Sequence, residues 1–400
     1  MTEQILAGYT VVDFTHIFSG PYCTQFLGDL GATVIKIERV GSGDAARTYG
    51  VRAGDDQVSG SFLALNRNKK SLAVDLTYEE GRTLVRQLIG ISDVLVENFR
   101  DGVMRRFGFD YESLSPDLPG LVYCSITGFG ATGPLAKRAA NDLIVQAYSG
   151  LLSMTGEVDG PPVRCGTAVS DFSAGLSAAL GVMSALLHRA RTGRGQHVET
   201  SMLESQISIM NYFFVDYWLR DVVPRAMGTA NSLGMPNQVF PTSDGYVAIT
   251  AANDRMWERC CAALGEPDLA GEPRFATLAD RYQNRSELVA VISGITSRFS
   301  TAECVERLEA GGVSCAPINT IDRVAADSQL AALGLVVDVE YDGQPHQAVG
   351  NQVHFSATPW SISQPAPTLG ADSRQVAADL GYSDSSIDDM IQRGVLACPA

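Results

Sequence analysis

Strand-like and helix-like segments alternate along the first half of the chain, and this alternation constrains the fold more than any other feature. Short apolar or β-branched runs indicate strands at Thr10–Phe14, Thr33–Ile37, Ser71–Leu76, Asp93–Val96 and Leu121–Ile126. Helical spacing lies between them, first over Pro21–Leu30, which ends at Gly31, and then near Glu79–Ile89. This alternation predicts an α/β fold in which helices cover both faces of a large, Rossmann-like parallel sheet.

A change of texture near Arg220–Gln238 predicts a second domain, because Gly, Pro and Asn replace the periodic pattern there. We expect a large α/β domain over 1–224, a smaller α+β domain over 225–325 and a return to the large domain over 326–400. The remaining predicted strands are His197–Met202, Tyr246–Thr250, Leu335–Tyr341 and Val353–Ser356. The remaining predicted helices are Asp142–Leu152, Ser173–Arg191, Arg255–Leu264, Arg281–Phe299 and Thr301–Ala310.

The composition limits the partners that we expect. A net charge of −15 argues against binding to nucleic acid or to an anionic membrane surface. The longest apolar stretch, Ala174–Leu187, is too short to span a bilayer and predicts a buried helix. The first residues lack the pattern of a signal peptide, so we expect a cytoplasmic protein. The eight cysteines form no CxxC pair, so we expect free thiols and no metal site.

The sequence does not support two common kinds of catalytic site. The turn after the first strand reads THIFSGP and contains no GxGxxG, which argues against a dinucleotide site. No GxSxG is present, and the histidines show no triad or metal spacing. His16 follows the first strand directly, where the crevice of a doubly wound sheet binds ligands, so it is a candidate site residue.

Asp171 stands at the start of a long helix rich in Ala and Leu, and it allows two interpretations. In the first, it is an N-cap whose carboxylate accepts the free amide hydrogens of the first turn. In the second, the helix dipole keeps the carboxylate ionised while one oxygen faces a cleft. A carboxylate placed in this way can act as a covalent nucleophile toward an activated acyl group.

Several longer motifs resemble the class III CoA-transferases, the family of formyl-CoA transferase and carnitine CoA-transferase. The resemblance extends over nearly the whole chain. It is carried by VVDFTHIFSGPYCTQFLGDLGATVIKIERVGSGD, NRNKKSLAVDL, DVLVENFRDGVMRRFGF, SDFSAGLSAALGVMSALLHRARTGRGQHVETSM and FPTSDGYVAITAAND.

The resemblance implies that Asp171 is the catalytic nucleophile, without a permanently bound cofactor or metal. Acyl-CoA and small carboxylic acids are the implied substrates, with succinyl-CoA or acetyl-CoA as donor, and the chain is expected to form an interlocked homodimer. The implied CoA contacts are Phe18, Ser19, Arg39, Val74, Asn98, Phe99, Arg100, Arg106, Lys137, Arg138 and Asn141. A guanidinium at Arg39 or Arg106 can pair with phosphate, although an isolated arginine of this kind is usually a solvated surface charge.

The loop 228–238, which contains Gly234 and Gln238, is a candidate for stabilising oxyanions beside Asp171. Its polar residues, Ser232 among them, favour an acyl group with a second polar end. Formyl-CoA transferase has a glutamine where this chain has Phe18, so formate and oxalate are not expected as substrates.

Two alternatives remain beside CoA transfer: an isomerase of the α-methylacyl-CoA racemase type, and a CoA-binding protein without catalysis. The racemase branch has a histidine where this chain has Asn141, and an amide exchanges no proton at neutral pH. The complete motif around Asp171 argues against a protein that only binds CoA.

Overall fold

The computed structural model describes residues 4–52, 58–231, 233–341 and 343–399, so Ser232 lies outside the described residues. The strands are β1 (Thr10–Asp13), β2 (Thr33–Glu38), β3 (Lys69–Val74), β4 (Val94–Glu97), β5 (Val122–Thr127), β6 (His197–Ser201), β7 (Asn237–Pro241), β8 (Tyr246–Thr250), β9 (Ser314–Pro317), β10 (Val336–Tyr341), β11 (Gln344–Val349) and β12 (Leu396–Ala397). The helices are α1 (Ser19–Asp29), α2 (Gly60–Leu65), α3 (Glu79–Gly90), α4 (Val103–Phe107), α5 (Tyr111–Leu114), α6 (Asp142–Tyr148), α7 (Val169–Thr192), α8 (Met202–Ile209), α9 (Asn211–Arg220), α10 (Asp254–Ala263), α11 (Leu278–Gln283), α12 (Arg285–Thr296), α13 (Thr301–Ala310), α14 (Ile321–Ala325), α15 (Ser328–Ala332), α16 (Ser373–Asp379) and α17 (Asp384–Gln392).

The large sheet has the strand order β12-β3-β2-β1-β4-β5-β6. Strands β1 to β6 are all parallel, and β12 joins β3 as an antiparallel edge strand. The α/β fold with a large parallel sheet is therefore confirmed. The order reverses at β1, which has β2 on one side and β4 on the other. Such a switch point opens a crevice beyond the carboxyl ends of the strands, and ligands bind there.

Two apolar cores lie on opposite faces of this sheet. Neighbouring residues of β1 show the division, because Val11 packs into one core and Val12 into the other. On the Val11 side, α1 and α7 cover the sheet, and small residues such as Ala174 and Ala178 allow these helices to approach closely. On the Val12 side, α3 packs together with α16 and α17.

The chain divides into two compact units. The first contains the described residues up to Leu151, then Arg164–Val222, and the described residues from Ala331 onward; the second contains Leu152–Val163 and Val223–Leu330. In the second unit β7, β8 and β9 form an antiparallel sheet. Its core surrounds Trp257, which is 1% exposed. This unit is the smaller α+β unit of the fold.

Three secondary-structure predictions were wrong or incomplete. The predicted helix Arg281–Phe299 is two helices, α11 and α12, which meet at Asn284. The predicted strand Val353–Ser356 is irregular, because β10 pairs with the nearer segment β11 in a hairpin. Helices α8 and α9 occupy a segment for which the sequence indicated no helix.

Helix α7 is longer than its apolar stretch suggested. By length and composition it could cross a membrane, but half of its most apolar stretch is buried within the protein. It packs against α1, β5, β6 and α8, as the core helix of a sheet layer does.

Candidate active site

Asp171 lies in the first turn of α7, at its third residue. The N-cap of this helix is Ala168, and no side chain caps it. The interpretation of Asp171 as an N-cap is therefore wrong, because its carboxylate is not used to close the helix end. The side chain lines a cavity instead.

Burial and a neighbouring acid raise the pKa of Asp171. Removal from water is the largest effect, and the negative charge of Asp142 adds to it, so that the pKa rises from 3.8 to about 7. The Ser19 hydroxyl and the Ser19 backbone amide donate hydrogen bonds to the carboxylate and partly oppose this rise. The expectation that the helix end keeps Asp171 fully ionised therefore does not hold at neutral pH, where the two protonation states are similarly populated.

Asp142 is a second acid near Asp171, and no pattern in the sequence had indicated it. It begins α6, and its Oδ1 accepts the backbone amide of Ser170, 2.9 Å away. Its Oδ2 accepts a hydrogen bond from Nε2 of the buried Gln146 at 2.6 Å and lies 3.6 Å from the guanidinium of Arg164. The amide of Ser170 thereby ties α6 to the first turn of α7.

The cavity beside Asp171 has a volume of about 790 Å³ and lies at the switch point between β1 and β4. This is a suitable size for a large ligand, since ligand sites are commonly about 300–1,000 Å³. Its lining includes many of the residues that the resemblance implied. These are His16, Ser19, Asn98, Phe99, Arg100, Lys137, Arg138 and Asn141. Residues more than 120 positions apart in the chain thus line one cavity.

The other predicted CoA contacts do not line this cavity. Val74 is only 2% exposed and packs in the core beside Leu396 of β12, so its side chain is not available to a ligand. Arg39 is exposed directly after β2. The exposed guanidinium of Arg106 lies 5.5 Å from the ring of Phe107. Arg105, which is not among the implied CoA contacts, does line the cavity and pairs with Asp110 at 3.2 Å.

Asn98 connects the loops that follow β4 and β1. Its Oδ1 accepts the backbone amide of His16 at 2.8 Å, and its Nδ2 donates to the carbonyl oxygen of His16 at 2.9 Å. The same Nδ2 lies 3.4 Å from the hydroxyl oxygen of Ser19. A single amide side chain therefore holds the loop that carries His16 and Ser19.

Buried charged residues also hold the loop that carries His16 and Ser19. Asp44 accepts the amide of Ile17 at 3.1 Å and lies 2.9 Å from the ammonium group of Lys36. Ile17 has a φ of 70°, which is strained for a β-branched residue and typical of functional loops. Burial lowers the pKa of His16, and the positive charge of Lys36 lowers it further, so His16 is mainly neutral at pH 7.

Aromatic rings surround the residue next to Asp171. The ring of Phe172 stacks 6.1 Å from that of Phe18 and meets the ring of Tyr22 edge-on at 5.0 Å. The ring of Phe18 also contacts that of Tyr49 at 5.9 Å. Phe18 therefore belongs to an apolar wall beside the first turn of α7, rather than to the cavity lining.

Three polar residues from neighbouring strands line another part of the cavity. The hydroxyl of Ser125 hydrogen-bonds the Glu97 carboxylate and lies 3.0 Å from Nε2 of His197. Burial raises the pKa of Glu97 and lowers that of His197. None of the three stood out in the sequence, since each lies in a strand and only the pairing of β4, β5 and β6 aligns them.

Gly234 and Gln238 lie in the second unit. Gln238 belongs to β7 and pairs with Ile249 of β8. A Cβ on Gly234 would lie 2.3 Å from that of Ala252, so only glycine fits there. Their contribution to a site with Asp171 stays a prediction.

Comparison with known proteins identifies the family of the chain. The model of CoA-transferase family III matches residues 6–373. The chain is 37% identical to the succinyl-CoA:glutarate CoA-transferase of Mus musculus over 393 residues, which cover 98% of this chain and 90% of that protein. It is 38% identical to the acetyl-CoA:oxalate CoA-transferase of Acetobacter aceti over 331 residues, which cover 82% of this chain and 85% of that protein.

A solved structure is also similar. A CAIB/BAIF family protein from Brucella suis superimposes with a TM-score of 0.86 at 36% identity, covering 94% of this chain and all of that one. The resemblance first drawn from the motifs is thus confirmed over nearly the full length.

Proposed function

The chain belongs to CoA-transferase family III and moves CoA from an acyl-CoA to a carboxylic acid, and from this premise we propose that Asp171 is its covalent nucleophile. The observation that carries the proposal is the position of this carboxylate. It lines the large cavity at the switch point, and Ser19 donors orient it.

The reaction then proceeds by exchange of acyl bonds. An oxygen of ionised Asp171 attacks the thioester carbon of the donor, the C–S bond breaks, and CoA leaves as a thiolate. The thiolate attacks the aspartyl carbonyl of the resulting anhydride, which releases the donor acid and forms an aspartyl-CoA thioester. The acceptor carboxylate repeats these steps in reverse. One thioester replaces another, so no external energy source is needed.

The environment of Asp171 suits this chemistry. A carboxylate with a pKa of about 7 is sufficiently ionised at neutral pH to attack, and its partial desolvation removes the water that would otherwise shield it. The exposed cations Arg100, Lys137 and Arg138 on the cavity wall are suited to the phosphates of CoA. Asn141 accepts the amide of Ile144 as the N-cap of α6, which supports a structural role rather than proton exchange.

For the acids, we propose succinyl-CoA as donor and a dicarboxylic acid as acceptor. The support is the similarity to relatives that are named for succinyl-CoA with glutarate and with mesaconate. A relative named for acetyl-CoA and oxalate has a similar identity, 38%, over a shorter share of this chain, 82%, so a CoA-exchange screen should include both donors and both acids. Faster transfer to glutarate than to oxalate is the expected result, and the reverse order would contradict the proposed acceptor class.

We also propose that the chain works as a homodimer in the cytoplasm. Helix α9 supports the dimer, because its sequence NYFFVDYWLR is rich in aromatic residues and yet contains no buried residue. Leu180 of α7 and Ile209 of α8 are exposed as well. Large apolar groups on neighbouring elements are typical of a surface that another chain covers.

Trapping of the covalent intermediate tests the nucleophile directly. The enzyme is incubated with succinyl-CoA in the absence of an acceptor and then treated with hydroxylamine or with borohydride. The expected products are a hydroxamate and an alcohol at Asp171, seen as mass shifts of the tryptic peptide 165–189. Full transfer activity without modification of this peptide by either reagent would contradict the mechanism.

The variant Asp171→Ala is the matching activity test. It should lose transfer below detection and should still bind CoA, since the carboxylate is not a phosphate contact. Calorimetric titration with CoA serves as the control for folding. Turnover above trace contamination would remove Asp171 from the role of nucleophile.

A further inference from the structure

Gly175 lies one helical turn after Asp171, where α7 comes very close to the start of α1. A Cβ placed on Gly175 would lie 2.5 Å from the carbonyl oxygen of Ser19 and 3.2 Å from Cδ1 of Tyr22. Even favourable contacts between carbon and a carbonyl oxygen keep about 3.3 Å between the atoms. An alanine at this position would therefore force the two helices apart.

The conformation of Gly175 does not explain its presence. It lies inside α7 and is not among the glycines with a positive φ. Glycine inside a helix costs about 1 kcal/mol relative to alanine, so intrinsic helix propensity favours alanine here. The remaining reason for glycine is the space that the Ser19 carbonyl group occupies.

Ser19 cannot yield by a side-chain rotation, because the atom that would collide belongs to its backbone. The backbone amide and the hydroxyl of the same residue are the groups that donate to Asp171. Any shift that relieves the collision must move either Ser19 or the first turn of α7. Both movements change the distance between Asp171 and its donors.

We propose that Gly175 is a positioning residue for CoA transfer, since its lack of a side chain keeps the Asp171 carboxylate within reach of both Ser19 donors. The inference rests on the proposed role of Asp171 as nucleophile. A displacement of about 1 Å at a reacting group can cost about 100-fold in rate, which sets the size of the expected effect.

The pH profile separates this role from a purely structural one. The hydrogen bonds from Ser19 lower the pKa of Asp171, so their loss should move the ascending limb of kcat/KM to higher pH. The acidic and histidine groups on the elements that pack against α7 are Asp29 on α1, Asp142 on α6, His197 and Glu199 on β6, and Glu204 on α8. Of these, Asp142 is the group whose charge acts on Asp171.

The test compares Gly175→Ala with Gly181→Ala in the full-length enzyme. Gly181 lies on the same helix, and a Cβ there would meet Cγ1 of Val198 at 2.6 Å, so the control also introduces a close contact within α7. We expect G175A to bind CoA within about threefold of the parent enzyme and to lose about 100-fold in kcat. The ascending limb of its pH profile of kcat/KM should lie at higher pH than in the parent enzyme. G181A should retain the parent pH profile.

Two further variants keep the outcomes distinct. Ser19→Ala removes one donor without adding bulk and should shift the pH profile in the same direction, even if G175A does not fold. Parent-like kcat in a folded G175A, or an unshifted profile in S19A, would overturn the role of Gly175. Activity in Asp171→Ala would instead overturn the nucleophile assignment, whatever G175A shows.

Discussion

Asp142 of α6 lies close enough to Asp171 of α7 for its negative charge to raise the pKa of Asp171. Oδ1 of Asp142 accepts a hydrogen bond from the backbone amide of Ser170, the chain neighbour of Asp171, at 2.9 Å. The acid that binds the start of α7 is thus also a group that raises the pKa of the proposed nucleophile.

In the variant Asp142→Asn, the ascending limb of the pH profile of kcat/KM should move to lower pH. Removal of the negative charge lowers the pKa of Asp171 from about 7, so ionised nucleophile is present at lower pH. The asparagine oxygen can still accept the Ser170 amide. Asp110→Asn, in the same cavity, is the control and should leave the limb in place. An unchanged limb in D142N would show that the two carboxylates are not coupled.

Asp171→Asn should stabilise the protein at neutral and alkaline pH. The pKa of Asp171 is raised on folding, so its contribution to stability is fully present below pH 3.8 and is lost as the pH rises through about 7. Asparagine resembles the protonated acid at every pH. The difference in Tm between variant and parent should therefore be near zero at pH 3.8 or below, and should grow up to about pH 7. Asp117→Asn, on the surface, should show no such growth.

Arg106→Ala should weaken CoA binding by roughly 1–3 kcal/mol, the range of a charge-assisted hydrogen bond. The basis is the predicted phosphate contact of its exposed guanidinium. Calorimetry with CoA measures the effect, and Arg393→Ala, which removes a surface charge paired with Glu80, is the control. Equal affinity in R106A and the parent enzyme would exclude Arg106 from the CoA site and would favour Arg105, which lines the cavity.

Asp29→Ala should destabilise the first unit by about 3–5 kcal/mol, because it leaves a buried arginine without its partner. Asp29 receives two hydrogen bonds from Arg67, at 3.0 and 2.7 Å, and another from Asn351 at 3.1 Å. These contacts attach the returning C-terminal segment to the large sheet. Denaturant unfolding measures the loss, and Glu79→Ala, which breaks an exposed pair with Arg82, should cost less than about 1 kcal/mol.

Trp218→Glu should convert the proposed homodimer into monomers. Trp218 is 72% exposed on α9, next to Leu219 at 76%, and burial of a charge in an apolar interface is costly. Light scattering after size-exclusion chromatography gives the mass. Arg220→Ala on the same helix should leave the assembly intact. A parent chain that is monomeric, or a W218E variant that stays dimeric, would contradict this interface.

Much of the first unit could be predicted from the sequence. Strands β1 to β5 each contain a short apolar or β-branched run, because a parallel sheet is covered on both faces, and such runs are visible without any partner. The motif around Asp171 identified the family and the nucleophile candidate by residue order alone. The break at Asn284 and the hairpin of β10 with β11 were not predictable in this way, since both depend on which segments pack together.

The sequence by itself determined the α/β class and the family, and it indicated Asp171 as the candidate nucleophile, because these follow from local periodicity and from contiguous motifs. Only the tertiary structure decided that Asp142 lies beside Asp171, that Arg105 rather than Arg106 lines the cavity, and that Gly175 makes room for Ser19. The physical reason is distance along the chain. Ser19 and Gly175 are far apart in sequence, and their contact exists only once α1 and α7 pack on the same face of the sheet.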